Sequence, residues 1–237
     1  MLNNLDDTNI SLDEKNHIYS LQGSDIQFMS VTTYIGEFFD KFDQQKVAEK
    51  LVRTNLRYAH FTVESLMSEW DKARDYGTLV HKQIEEHVNG LVQASDMKAK
   101  NAVLWLNDFV EDKNCDLLVE KIIFAKELCL AGTMDVLVKL KDSNEYIIID
   151  WKTNKKIDTK SYRNKKGTHP LTSNIDDCKY NIYAFQLSLY RYILEEYYGL
   201  TIKQQIIAHI TDHSVDAYLP PYYRGHIEAI TSLRDKG

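Results

Sequence analysis

The sequence predicts an α/β fold, a mixed central β-sheet flanked by helices with a mainly helical N-terminal part. Three observations predict it. The first half carries apolar residues at helical spacing, three short β-rich segments follow Cys115, and a helix and one more strand come after them. At 237 residues the chain is long enough to bury a substantial core, and no Pro/Gly/Ser-rich stretch divides it. The reading is one domain over 1–237, in which 1–113 is the helical part and 114–237 holds the sheet and its flanking helices.

Ser30 or Thr32 is placed to cap a helix carrying Ile35, Phe38, Phe39 and Phe42, and 44–56 and 63–76 continue in the same style. After Gly77, Val80, Ile84 and Val88 fall at i, i+4 and i+8, a helix that Gly90 can end. Ser95 then opens a helix through Val103, Leu106 and Val110. LLVEKIIF, LAGTMDVLVKL and EYIIIDWK are short and rich in β-branched and aromatic residues, with KDSN a turn between the last two, so they read as adjacent antiparallel strands. Residues 154–177 read as a long loop. A helix over about 180–198 closes on Gly199, TIKQQIIAHIT is a further strand, and 222–236 is a terminal helix.

Composition narrows the function classes. The opening MLNNLDDTNISLDE lacks a basic and apolar leader, and no apolar run approaches the roughly 18 residues of a membrane span, so an intracellular protein with no membrane partner is expected. Cys115, Cys129 and Cys178 form no CxxC pair, which argues against a disulfide framework and against cysteine-held zinc or iron-sulfur. The net charge of −6 gives no general basic coat. One local run departs from it: Lys152, Lys155, Lys156, Lys160, Arg163, Lys165 and Lys166 surround the single acid Asp158. Such a run is either a solvated loop or a phosphate-binding one.

The chemistry-bearing constellation lies on the KDSN hairpin. If its loop is Lys141 to Asn144, Leu140 pairs with Glu145 and the register brings Asp135 opposite Asp150. Directly opposed residues share a face with Cβ atoms roughly 4.5 to 5.5 Å apart. Two facing carboxylates repel unless a cation sits between them. The strand period of two also sends Asp150 and Lys152 to one face and Trp151 to the other. A structural salt bridge would account for one Asp and one Lys. A distant His81 and a later polar helix face make more: hard oxygen ligands for Mg²⁺, with an imidazole that admits Mn²⁺, and a lysine beside them.

GTLVHKQIEEH, LAGTMDVLV, YIIIDWKT and FQLSLYRYIL, in that order, resemble the RecB-like branch of the PD-(D/E)xK nucleases, whose members include lambda exonuclease and the mitochondrial genome maintenance exonuclease. The resemblance covers Gly77 to Tyr198. It implies a restriction-endonuclease-like core using Mg²⁺ or Mn²⁺, with His81, Asp135 and Asp150 as metal ligands, the Trp151 carbonyl as a further one, and Lys152 as the catalytic lysine. Gln186 and Tyr190, at i and i+4, would line the site and orient Lys152 or substrate. Glu120 matches a carboxylate that some relatives place near the metal, and a surface acid is the alternative. SVTTYI is similar to a helix start where hydroxyls lie near the DNA end, so Ser30 and Thr32 are either plain caps or phosphate contacts.

The implied activity is a metal-dependent deoxyribonuclease, an exonuclease at single- or double-stranded DNA ends in recombination, repair or replication. Cytoplasmic or nucleoid-associated placement, a phage or viral origin, and a recombination or replication protein as partner go with that reading. The alternatives are an RNA endonuclease of cap-snatching type and an inactive nuclease fold that only binds nucleic acid. His87 lies six residues from His81, off its face, and reads as solvated. His209 and His213 form no ligand set, and Tyr162 in the basic loop is placed to stack on a base.

Overall fold

The computed structural model describes residues 2–6 and 9–234. The chain is α/β, with a central mixed sheet flanked by helices, consistent with a restriction-endonuclease-like core. Six strands make the sheet: β3 (Met29–Ser30), β4 (Cys115–Ala125), β5 (Leu130–Leu140), β6 (Glu145–Lys152), β7 (Thr201–Ile210) and β8 (Val215–Tyr218). β4, β5 and β6 are antiparallel neighbours, and Leu140 pairs with Glu145 as the KDSN turn requires. β6 and β7 run parallel, joined by the crossover helix α5 (Lys179–Tyr198), which ends on left-handed Gly199 at φ 66°.

Helices cover both faces. α1 (Val31–Gly36), α5 and α6 (Arg224–Thr231) pack with Met134, Leu137 and Ile148 on one. α3 (Val63–Val88) and α4 (Met97–Val110) bury Val80, Ile84, Val103 and Leu106 against Val138, Ile147, Ile149 and Trp151 on the other. A strand apolar on both faces, as IIID is, belongs in such a sandwich.

Several elements depart from the sequence reading. The helix after Ser30 stops at Gly36, leaving Phe38 and Phe39 to reach the core from the following turn while Phe42 stays exposed. α2 (Gln44–Thr54) follows, and Asp96 rather than Ser95 caps α4. Gly77 does not separate two helices. It sits within α3 because a Cβ there would lie 2.7 Å from Thr153 Oγ1, so the missing side chain is what lets the helix approach the end of β6. The terminal helix, expected over 222–236, spans Arg224 to Thr231, and residues 235 and 236 of that expectation lie outside the described residues.

Four short strands, β1 (Ile10–Asp13), β2 (Ile18–Leu21), β3 and β8, were missed. β1 and β2 form a separate hairpin whose Tyr19 and Leu21 pack on Phe28 and Phe124. Four-residue strands give too short a period to stand out, but Asp13 marks the turn: its carboxylate accepts from the Lys15 and Asn16 amides. β8 is equally short and joins β7 through a turn closed by Thr211 and Ser214.

Gly132 has the tightest demand in the sheet, since a Cβ there would fall 2.5 Å from the buried Tyr190 ring. Gly132→Ala is expected to cost about 1–3 kcal/mol through overpacking, whereas Gly36→Ala, which meets nothing within 4 Å, should change stability by less than about 1 kcal/mol. Urea denaturation of both variants measures the contrast. Equal midpoints would contradict the packing argument.

Candidate active site

The site forms where a strand edge is left open. β4 borders β5 along both of its halves, so β3, which pairs at Leu130 and Ala131, and β6, which pairs from Val136 onward, must share the opposite edge. Between them residues 132–135 have no strand partner on that side. The β5–β6 ladder stops at Val136 and Ile149, one step before Asp135 would meet Asp150. Instead of continuing it, the Asp135 carboxylate takes the Trp151 amide at 2.6 Å from Oδ2. A buried amide that has lost its ladder partner needs an acceptor, and the side chain supplies one.

α3 brings His81 to this opening. Val80 and Ile84 anchor the helix in the core, and His81 Nδ1 stands 3.4 Å from Asp135 Oδ1. β4 adds Glu120. Its neighbours Val119 and Lys121 pair with β5, but Glu120 itself adopts φ 49° and is skipped. A left-handed non-glycine residue inside a strand costs of order 1–3 kcal/mol and persists only where its surroundings impose it. Ligand atoms of His81, Glu120 and Asp135 all lie within 4.8 Å of one another. The surface-acid reading of Glu120 is thus corrected: it is half-buried beside Asp135, and the sequence carried no signal for the kink that turns it there.

Asp150 lies outside that three-residue cluster, in a second group one step away. Its Oδ1 accepts from Gln186 Nε2 at 3.0 Å, and Lys152 Nζ stands 2.5 Å from Oδ2 as an ion pair, approaching off the direction of a hydrogen bond. Tyr190 reaches Gln186 at 3.4 Å from the same helix face. Tyr183, three residues before Gln186 and absent from the sequence reading, lies with its ring under Lys152, 4.5 Å from Nζ to the ring centre. Its spacing from Gln186 was visible, but the face it shares with Lys152 depends on how α5 crosses β6.

The electrostatics follow from burial and proximity. Desolvation, helped by Asp135, pushes Glu120 up to about 8. Desolvation also lifts Asp150, to about 6, against the pull of Lys152. For Asp135 burial opposes the charged form, yet His81 outweighs it and the direction is down. For His81 burial opposes the imidazolium, and Asp135 outweighs it upward. Lys152 loses to desolvation but gains more from Asp150 and Asp135, so it is held as an ammonium.

Both groups open into one cavity of about 850 Å³. The β1–β2 hairpin, with Leu12 and His17, and the α3 face from Trp70 to Glu85 also line it. Ser30 and Thr32 are at its edge: Ser30 Oγ caps α1 by accepting from the Thr33 amide and is buried, while Thr32 is exposed. Trp151 lines the cavity while its indole packs back against Trp105.

The basic loop divides. Lys155 lines the cavity, whereas Lys156 is paired with Asp158, Lys165 with Asp40 and Lys166 with Asp176. Lys160 and Arg163 make no ion pair among the described residues, and the Arg163 guanidinium covers the Tyr162 ring at 5.2 Å. An uncompensated run of cations is therefore not what the fold presents, because Asp40 and Asp176 come to it from outside the run.

His87 holds the loop after α3, its Nδ1 accepting from the Ala94 amide. His209 is buried, with Nε2 2.6 Å from the Asn154 carbonyl.

No family model matches this sequence, and no curated protein matches it. Among solved structures, SSO0001 aligns at TM-score 0.37 and 13% identity, covering 88% of this chain and 77% of that one. A candidate exonuclease from Eubacterium rectale aligns at TM-score 0.38 and 12% identity with the same coverage. Likenesses this distant carry no argument about this chain, and the functional reading rests on its own residues.

Stability should record the crowded charges. Glu120 holds its proton more tightly folded than unfolded, so metal-free stability falls as pH rises between its ordinary 4.5 and about 8. His81, raised in the fold, adds the same sign: its contribution is full below 6.5 and is lost as pH rises through its higher folded value. Glu120→Gln removes the carboxyl part. Its urea midpoint should exceed that of the wild type by more at pH 8 than at pH 5 without metal. Parallel midpoints across that range would refute it.

Proposed function

We propose that this chain is a divalent-metal-dependent deoxyribonuclease, an exonuclease acting at DNA ends in recombination, repair or replication. One observation carries the reading. An imidazole and two carboxylates converge within 4.8 Å beside the ion pair of buried Asp150 and half-buried Lys152, all lining one cavity of about 850 Å³. Burial, with Asp135 beside it, pushes Glu120 up to about 8, and carboxylates buried this close together are costly to ionise unless a cation joins them.

The donor set fits Mg²⁺ or Mn²⁺: mostly hard oxygen, with one imidazole that favours Mn²⁺. His81, Asp135 and Glu120 would hold the ion, with Asp150 and the Trp151 carbonyl as the further ligands the resemblance implies. A bound ion would supply Lewis-acid stabilisation of phosphate charge and ease deprotonation of a water. The chain's own groups do the rest. Lys152, kept protonated by Asp150, is suited to donate to a non-bridging phosphate oxygen or fix the attacking water rather than to act as a base. Gln186 fixes the Asp150 carboxylate and Tyr190 backs Gln186. Lys155 and the exposed Thr32, both lining the cavity, would receive the DNA backbone, Ser30 would act by capping the helix that carries Thr32, and Lys156, Lys160, Arg163, Lys165 and Lys166 belong to the same basic loop as Lys155.

An inactive binding fold would dispense with the buried lysine and one of the acids. Both are kept here at a desolvation cost, which favours the enzyme.

Lys152→Ala should lower cleavage by about 100-fold or more while leaving Mn²⁺ binding largely intact, whereas Asp150→Asn should weaken Mn²⁺ binding as well. Labelled linear and circular DNA, assayed with Mg²⁺, with Mn²⁺ and with chelator, measures this. Near-normal turnover in the lysine variant would remove the mechanism, and cutting of circles would remove the exonuclease assignment.

The loop gives an independent test. Lys155→Ala should reduce the slope of log affinity against log salt by about 0.7 to 0.9, the value of one phosphate contact, while Lys166→Ala, already paired with Asp176, should leave it unchanged. Equal slopes for the two variants would show that the DNA path avoids Lys155.

A further inference from the structure

The short segment that leaves β6 is held from four elements at once. Thr153 Oγ1 fills the notch at Gly77 in α3. Lys98 Nζ in α4 reaches the Thr153 carbonyl at 3.4 Å. His209 of β7 meets the Asn154 carbonyl at 2.6 Å, which requires the imidazole proton on Nε2. From α5, the Tyr183 hydroxyl donates to Asn154 Oδ1 at 2.6 Å. Tyr183 also meets the Lys152 side chain, with its ring 4.5 Å from the ammonium.

A lysine has four rotatable side-chain bonds, and one carboxylate cannot fix all of them. Asp150 attracts Nζ from one side. The Tyr183 ring offers a second, weaker attraction through its π face, and it also excludes water from that side. Because the hydroxyl of the same tyrosine is tied to Asn154, two residues after Lys152, the ring cannot swing without breaking a bond to the strand end that carries the lysine.

We propose that Tyr183 is a positioning residue for Lys152, holding the ammonium in the cavity by ring contact and referencing it to β6 through Asn154. The proposal rests on the nuclease reading for its effect on catalysis, while the placement of the lysine stands on the geometry. Tyr183, Gln186 and Tyr190 lie at i, i+3 and i+7 on α5, so one helix face aligns Lys152, Asp150 and Gln186 in succession.

The test compares Tyr183→Phe, which keeps the ring, with Tyr183→Leu, which removes it. Two readouts apply to the whole chain: steady-state cleavage of a labelled DNA strand with Mn²⁺, and labelling of Lys152 by an amine-reactive reagent followed by mass spectrometry without metal. Tyr183→Leu should lower kcat by about 10- to 100-fold with KM for DNA within about threefold, and Tyr183→Phe should recover kcat to within about threefold of the wild type. Lys152 should label faster in the Leu variant than in the Phe variant, at similar melting temperatures. Equal labelling in both variants, or equal loss of kcat in both, would overturn the proposal. If the wild type cleaves no DNA, the nuclease reading falls, and the labelling comparison still decides whether Tyr183 holds the lysine. Should the Leu variant fold poorly, Tyr183→Met keeps bulk without a π face and takes its place.

Discussion

The structure depends on parting two strands one residue before two aspartates would meet. Had the β5–β6 ladder continued, Asp135 and Asp150 would face each other across an ordinary pair, with mutual repulsion unless a cation joined them. Because the ladder stops at Val136 and Ile149, the Asp135 carboxylate takes over the Trp151 amide and Asp150 turns to Lys152 and Gln186. Each acid then belongs to a different neighbourhood. Residues on both sides of the opening, Gly132, Thr133, Asp135 and Asp150, line the cavity.

That separation explains why the electrostatics divide into two kinds. Asp135 and His81 stabilise one another's charged forms, and Lys152 keeps its proton because Asp150 is beside it. Glu120 gains least from either pair, is desolvated, and sits in a left-handed backbone position within a strand. Strain and unfavourable charge at one residue argue against a stabilising role, since an apolar side chain on a regular strand would do better there.

Rigidity comes from outside the strands. α3 approaches at Gly77, α5 at Gly132 through Tyr190, and the segment after Lys152 is pinned from α3, α4, α5 and β7. Groups meant to hold a reactive geometry need partners on several independent elements, because any one element can shift against its neighbour. The basic loop is built on the other plan. Three of its cations are matched by acids, and of the loop's lysines after Lys152 it is Lys155 that lines the cavity.

The sequence by itself determined the α/β arrangement, the bounds of β5 and β6, and their register. Those depend on local turn chemistry and on alternation over eight to eleven residues, which short-range physics settles. It also placed Asp150 and Lys152 on one strand and Gln186 and Tyr190 on one helix face. Only the tertiary structure decided that Gly77 joins a continuous helix, that Glu120 turns toward Asp135, that Asp40 and Asp176 neutralise the loop, and that Tyr183 lies beneath Lys152. Each of those depends on the distance between elements remote in sequence. Helix and strand periods fix which way a side chain leaves its own element and say nothing of what arrives to meet it.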